Sequence, residues 1–415
     1  MTETLAPPRR LLLTPLRSPS FRHLWCAQFL SLFGDGCGYV AFAWITLTVS
    51  RSSLALGLVL AAQAVPRALL TLVGGALSDR MSPRSLMMGS SCLRAALTVV
   101  VAGAGLGHLL SLWLLLAAAA LFGAVDAFFQ PARGSILPSA VPPEQLEPAN
   151  ALLNAGSRVA MVLGPALGGV VVAVAGANVA FLVDGGCFAL VAVFTGGVRT
   201  TRSPGTPGAS EPSGAESLRS RIRDGLGYVW ADPRIRAVLV VDAAVTFCYA
   251  GPFTVGFASL ARFRLGGGAT DLGLLNGALA AGAIAGSLLG GASPRRLRVG
   301  PLIAALTAWL AVGMFTLGIT TGLVASMGAV ALMGAGIGFQ GVFGLSWIQR
   351  GIAPDVLGRV IAVDMVAGYV VAPVSLVLCG VFAQPRPALV FLGTAVLLVL
   401  TTLGVLCSRS VRAMT

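Results

Sequence analysis

The chain contains no lysine; all 28 of its strongly basic residues are arginine. A Walker A loop needs a lysine on its phosphates and a Schiff-base enzyme needs a lysine amine, so neither is built from this polypeptide. Energy for any pumping must then come from an ion gradient or from a separate ATPase subunit. Only two histidines are present, His23 and His108, at opposite ends of apolar runs. The seven cysteines, Cys26, Cys37, Cys92, Cys187, Cys248, Cys379 and Cys407, lie within or at the ends of such runs. They form no C-x-x-C pair and no disulfide framework. No metal site and no cofactor are expected, and an integral-membrane enzyme would need clustered His, Glu or Cys at one depth. Charged residues are only 10% of the chain, against about a quarter in a soluble domain.

What is abundant is apolar. Hydrophobic residues make up 56% of the chain and mean hydropathy is +0.88, more than a soluble core could absorb. The net charge of +13 is scattered over short loops between apolar runs. A nucleic-acid surface would gather it on one face, so no nucleic-acid partner is expected. A bilayer-crossing helix needs about 20 mostly apolar residues. Twelve runs qualify: 24–49, 54–77, 85–106, 109–130, 149–175, 178–197, 237–260, 272–292, 299–320, 322–347, 358–383 and 386–407.

The region between the sixth and seventh runs differs in kind. Residues 200–217 are rich in Pro, Gly and Ser, as a flexible linker is. Over 218–230, Leu218, Ile222, Leu226 and Trp230 recur every four residues opposite Arg219, Arg221 and Arg223, the pattern of an amphipathic helix on a membrane surface. The predicted fold is an all-α membrane protein of two six-helix bundles related by pseudo-two-fold symmetry. Its parts are a cytoplasmic N-terminal segment 1–23, an N-terminal bundle 24–197, a linker 198–236, a C-terminal bundle 237–407 and a tail 408–415.

Arginine placement sets the orientation. With the N-terminus inside, the inner segments carry twenty-one arginines, among them Arg80, Arg84 and Arg133, and the outer segments four: Arg51, Arg262, Arg264 and Arg386. Both termini are therefore expected in the cytoplasm of a multi-pass protein of the inner membrane. The first run lacks the short length and small-residue cleavage site of a signal peptide. Trp25, Trp44, Trp113 and Trp347 fall near run ends, as interfacial anchors do.

Two decapeptides mark an internal repeat: G-A-L-S-D-R-M-S-P-R at 75–84 and G-S-L-L-G-G-A-S-P-R at 286–295. Each joins two apolar runs, so one short basic hairpin recurs in each half, as in transporters built from repeats. Gly75 lets two helix backbones approach closely. Asp79 and Arg80 sit at the cytoplasmic mouth, where Asp79 can pair with Arg133 or cap a helix N-terminus and latch the inner gate. The alternative is that they serve topology alone, for which arginine would suffice and the acidic member would be unnecessary. The second decapeptide has Gly290 and Gly291 in place of the Asp-Arg pair, which confines such a latch to one half.

These features together resemble the major facilitator superfamily. Gly75, Leu77, Asp79, Arg80 and Arg84 match its motif between the second and third helices, with Ser82 and Pro83 departing from it. In the fifth run, V-L-G-P-A-L-G-G places Gly164, Pro165, Gly168 and Gly169 on the end of the superfamily's antiporter motif, with Ala160 where a glycine is expected. The segment from Gln130 to Asn150, with F-R-H-L-W, L-F-G-D-G and P-D-V-L-G-R-V, is similar to the efflux branch of macrolide-efflux and enterobactin-exporter-like proteins, the transmembrane secretion effectors. The resemblance implies alternating access, a small-molecule cargo and export.

An ionisable residue at bilayer depth is a functional candidate by default. Counting about 1.5 Å per residue, Asp35, Arg67, Arg94 and Arg158 fall near the midplane and Asp126 two turns inside the fourth run. Asp35 is the preferred proton carrier, or else a permanent partner of Arg67, Arg94 or Arg158. Asp126 reads as support for the cytoplasmic latch, and Asp184, Asp242 and Asp364 as interfacial or structural. One midplane acid against three arginines leaves positive charge over, which favours an anionic cargo unless protein groups neutralise it. The leading function is a monomeric exporter of amphiphilic molecules (antibiotic, siderophore or other secondary metabolite) in the lipid bilayer, driven by proton antiport. The alternatives are a proton-linked importer of an organic anion and a non-transporting receptor or scaffold.

Overall fold

The computed structural model describes residues 13–78, 81–198, 233–292, 299–351, 354–384 and 386–407. Among them, everything long is helix. The helices are α1 (Pro19–Ser50), α2 (Ser53–Ser78), α3 (Pro83–Leu106), α4 (Leu112–Ala140), α5 (Leu146–Ala175) and α6 (Ala177–Gly197). They continue as α7 (233–265), α8 (Ala269–Ala292), α9 (Val299–Ile319), α10 (Leu323–Gly351), α11 (Pro354–Ala383) and α12 (Pro387–Cys407). Twelve of the described helices are long and apolar enough to cross a membrane. The amphipathic pattern at 218–230, Asp79 and Arg80 lie outside the described residues.

Helix ends follow local chemistry. Ser82 caps α3, its hydroxyl accepting from the Ser85 amide at 3.1 Å, and Pro83 fits the first turn, where its missing N–H costs nothing. Ser111 does the same for α4. Gly176, at φ 87°, allows α5 to reverse into α6 with no residue to spare. The fourth helix runs ten residues beyond its predicted end, through Pro131 and Pro138. A membrane protein tolerates such prolines because neighbouring groups satisfy the freed carbonyls. Arg133 consequently stands on a helix, not in a loop. Within α7, two π-helical turns, Pro252–Gly256 and Ala261–Leu265, interrupt the regular ladder.

The chain divides into two compact units, one of residues 1–42 and 66–209, the other of 43–65 and 210–415. In the first, α3 lies along α6 and α4, and α5 packs on α6. In the second, α8 lies along α10, α9 along α12, and α7 along α11. The α3–α6 and α9–α12 pairs are one pairing displaced by six helices, as an internal repeat requires.

Candidate functional site

Three glycines separated by single residues, Gly34, Gly36 and Gly38, give the middle of α1 two bare faces. Residues four apart share a helix face and residues two apart do not. The Gly36 face lies on α5: a Cβ there would stand 2.6 Å from Pro165 Cδ and 3.0 Å from the Gly164 carbonyl carbon. Gly168 approaches the Cα of Cys37 equally closely, and the Cys37 thiol donates to the Gly164 carbonyl at 3.2 Å. Trp25 and Gln28 extend the seam, donating to the Leu152 carbonyl at 3.0 Å and the Ser157 hydroxyl at 2.6 Å. Gly164, Pro165 and Gly168 are thus the α1-facing stripe of α5, and Gly169 beside them is buried. Trp25, expected as an interfacial anchor, belongs to this seam instead.

With α1 held so close, Asp35 meets Arg94 of α3. The guanidinium donates through Nη2 to Asp35 Oδ1, and its Nη1 lies 3.4 Å from Asp126 Oδ1 on α4. Asp126 Oδ2 is in turn 3.4 Å from Arg67 Nη1 on α2. Arg94 is only 1% exposed, enclosed by the rings of Phe188 at 4.0 Å and Phe122 and Phe129 at 5.4 Å. Phe42 and Phe181 continue this aromatic wall edge-to-face at 4.9 Å. Rings against a guanidinium stabilise it where water is excluded. A bare cation there would be very costly; two carboxylates offset that cost.

Asp35, Arg67, Arg94 and Asp126 therefore form one network. Asp126, expected to support the cytoplasmic latch, ties Arg67 and Arg94 together. Arg158 lies on an exposed face of α5, outside the buried cluster. Arg133 is half-buried two turns beyond Asp126, within electrostatic reach of Asp35 and Asp126. The reading of unmatched positive charge does not hold, because Arg67 and Arg94 both have carboxylate partners. Asp184, expected as interfacial or structural, is 1% exposed and adjoins Gly34 and Gly38, so it is not interfacial. The sequence signal for it was the G-D-G-C-G run itself, two bare faces flanking an acid.

Arg84, placed by its motif at the gate, donates to the Gly196 carbonyl at the end of α6. A cation on the last carbonyls of a helix stabilises it. Arg84→Gln is expected to lower stability by about 1 kcal/mol, read as a fall in melting temperature of the detergent-solubilised protein. An unchanged melting temperature would remove Arg84 from that role. Gly75 lies within α2.

Residues 11–414 match the family described as transmembrane secretion effector. The chain belongs to that family. Transmembrane secretion effectors are major facilitator transporters, not enzymes, and the twelve helices agree. This effector is 28% identical over 373 residues to the multidrug efflux pump Tap of Mycobacterium tuberculosis, covering 88% of this chain and 87% of that one. It is 22% identical over 366 residues to macrolide efflux protein A of Streptococcus pyogenes, covering 88% and 89%. Among solved structures it is similar to a bacterial homologue of the iron transporter ferroportin, with a TM-score of 0.71 at 16% identity over 95% of this chain and 99% of that one. A bacterial homologue of the lysosomal transporter Spinster gives 0.72 at 16% identity, covering 94% and 96%. These last two show the shared fold.

Proposed function

We propose that this effector is a monomeric secondary active exporter, moving amphiphilic small molecules out across the inner membrane in exchange for protons. The single observation that carries the reading is Arg94, 1% exposed and held between Asp35 and Asp126. A buried ionic network is a poor way to stabilise a fold, since apolar residues of the same volume do as well or better. Such charges inside a membrane mark ion and substrate pathways. Asp35 is its outlet, with 34% of its side chain accessible, so it can take a proton from water and release Arg94. The efflux relatives Tap and macrolide efflux protein A support export of drug-like or secondary-metabolite cargo. The arginine bias supports cytoplasmic termini, and Gly75, Asp79 and Arg80 are proposed to latch the cytoplasmic mouth.

Everted vesicles with an acid interior test this directly. Ethidium or erythromycin should accumulate inside and leak out when a protonophore is added. Asp35→Asn should lose that accumulation by roughly a hundredfold, the range for removing a proton-transfer group, yet retain downhill exchange. Intact uphill transport by Asp35→Asn would remove Asp35 from coupling. Gradient-driven uptake confined to right-side-out vesicles would make the protein an importer; no movement in either orientation would leave a receptor or scaffold.

A further inference from the structure

Asp184 is the buried acid that the network leaves without a counter-ion. Among the described residues it enters no ion pair within 4.0 Å, and its Oδ1 is buried with no hydrogen-bond partner. Its carboxylate lies in a cradle of bare backbone. A Cβ at Gly34 would stand 2.8 Å from Oδ1, and one at Gly38 2.6 Å from Oδ2. The cradle has room for a carboxyl group and for no side chain on α1 opposite it. The titratable and charged groups around it can be named helix by helix. They are Asp35 and Cys37 on α1, Arg94 on α3 and Cys187 on its own α6, with Asp126 of α4 on the far side of Arg94's other nitrogen, Nη1. The glycines of α5 lie against α1, and Arg158 of α5 is exposed. Among the described residues Arg94 is the one cation within electrostatic reach of Asp184, and it is already bonded to Asp35.

We propose that Asp184 holds a proton in this state and is a second proton site of the exporter, exchanging the Arg94 guanidinium with Asp35. A proton from water binding to the Asp35 carboxylate breaks its bond to Arg94. The freed guanidinium turns to Asp184, and the proton that Asp184 held leaves to water. One proton enters and one leaves, and the buried charge is the same before and after. The glycine cradle makes the exchange small: Asp184 already lies against α1, so Arg94 need only rotate within its aromatic wall. The assignment rests on the proton-antiport reading above, and its test needs no cargo.

Infrared spectra of the purified protein, recorded across a pH series in H2O and D2O, report the carbonyl stretch of any protonated carboxyl group. At neutral pH one deuterium-sensitive band is expected in the wild type. It should survive in Asp35→Asn and in Asp126→Asn and be lost in Asp184→Asn. Asp184→Glu, which keeps the carboxyl, should restore a band at a shifted frequency, and gel filtration checks that each variant is folded. If Asp184→Asn fails to fold, the shift of the band in Asp184→Glu decides alone. A band lost in Asp35→Asn or Asp126→Asn but unmoved in either Asp184 variant overturns the assignment, as does the absence of any band. A band abolished by sodium at fixed pH also overturns it, since the site would then bind a monovalent metal cation. Loss of the idea in this way leaves proton-driven drug accumulation in vesicles standing or falling on its own measurement.

Discussion

Arg94→Gln is expected to be the most damaging single change in the first unit. Glutamine can still donate, but it ends short of the guanidinium nitrogens that reach the two carboxylates and brings no charge, so Asp35 and Asp126 lose their shared cation together. Breaking a buried pair by removing one partner costs about 3–5 kcal/mol, a large part of the roughly 5–15 kcal/mol that holds a typical domain folded. The three phenyl rings of Phe122, Phe129 and Phe188 lose their cation as well. A fall in melting temperature on the order of 10 °C follows, with gradient-driven transport abolished. Lysine should not rescue it, because a point charge cannot serve two carboxylates from one position as a guanidinium fork does. The double variant Arg94→Gln with Asp35→Asn separates coupling from general damage. It should recover more than half of the lost stability, since one stranded carboxylate is then neutral, while remaining uncoupled. Additive losses in the double variant would show that Arg94 and Asp35 act independently, and the network would be abandoned.

The helices themselves were legible in the sequence, because about 20 apolar residues in a row leave little else for the chain to do. The intramembrane charges were legible too, since in so apolar a chain each one stands out. Their pairing was not. Which residue faces which depends on how each helix is rotated about its axis, and a helix apolar all round carries no periodic stripe to set that angle. Counting residues from helix ends reads Asp184 as interfacial or structural; depth along the axis says nothing about the face. Arg158 was assigned to the cluster on the same ground and lies outside it. What does carry rotation is glycine spacing. Gly34 and Gly38 mark the face of α1 toward Asp184, and Gly36 the face toward Gly164 and Pro165. The G-D-G-C-G run held that geometry in plain letters.

The same signal governs the second unit, where Gly282→Val is expected to abolish folding. Gly282 and Gly286 of α8, and Gly334 and Gly338 of α10, form two G-x-x-x-G stripes on helices that run side by side in the same direction. The fit is reciprocal. A Cβ at Gly282 would strike the Ala331 carbonyl and one at Gly286 the Ala335 carbonyl, each four residues on. From the other helix, Cβ atoms at Gly334 and Gly338 would strike the carbonyls of Leu279 and Ala283. Ser287 bridges the seam, its hydroxyl lying 2.8 Å from the Ala283 carbonyl and 3.2 Å from that of Gly338. In a bilayer no hydrophobic force draws helices together, so close backbone contact of this kind supplies the association. Overpacking a core costs about 1–3 kcal/mol where side chains can yield; a backbone carbonyl cannot turn aside, so the helices must separate and four contacts fail at once. Gly328→Val on α10 is the control, because a Cβ there meets open space. Gel filtration after detergent extraction should show a folded peak for Gly328→Val and aggregate for Gly282→Val. A folded, transport-competent Gly282→Val, or equal damage from both, would mean that the α8–α10 seam does not hold this unit together.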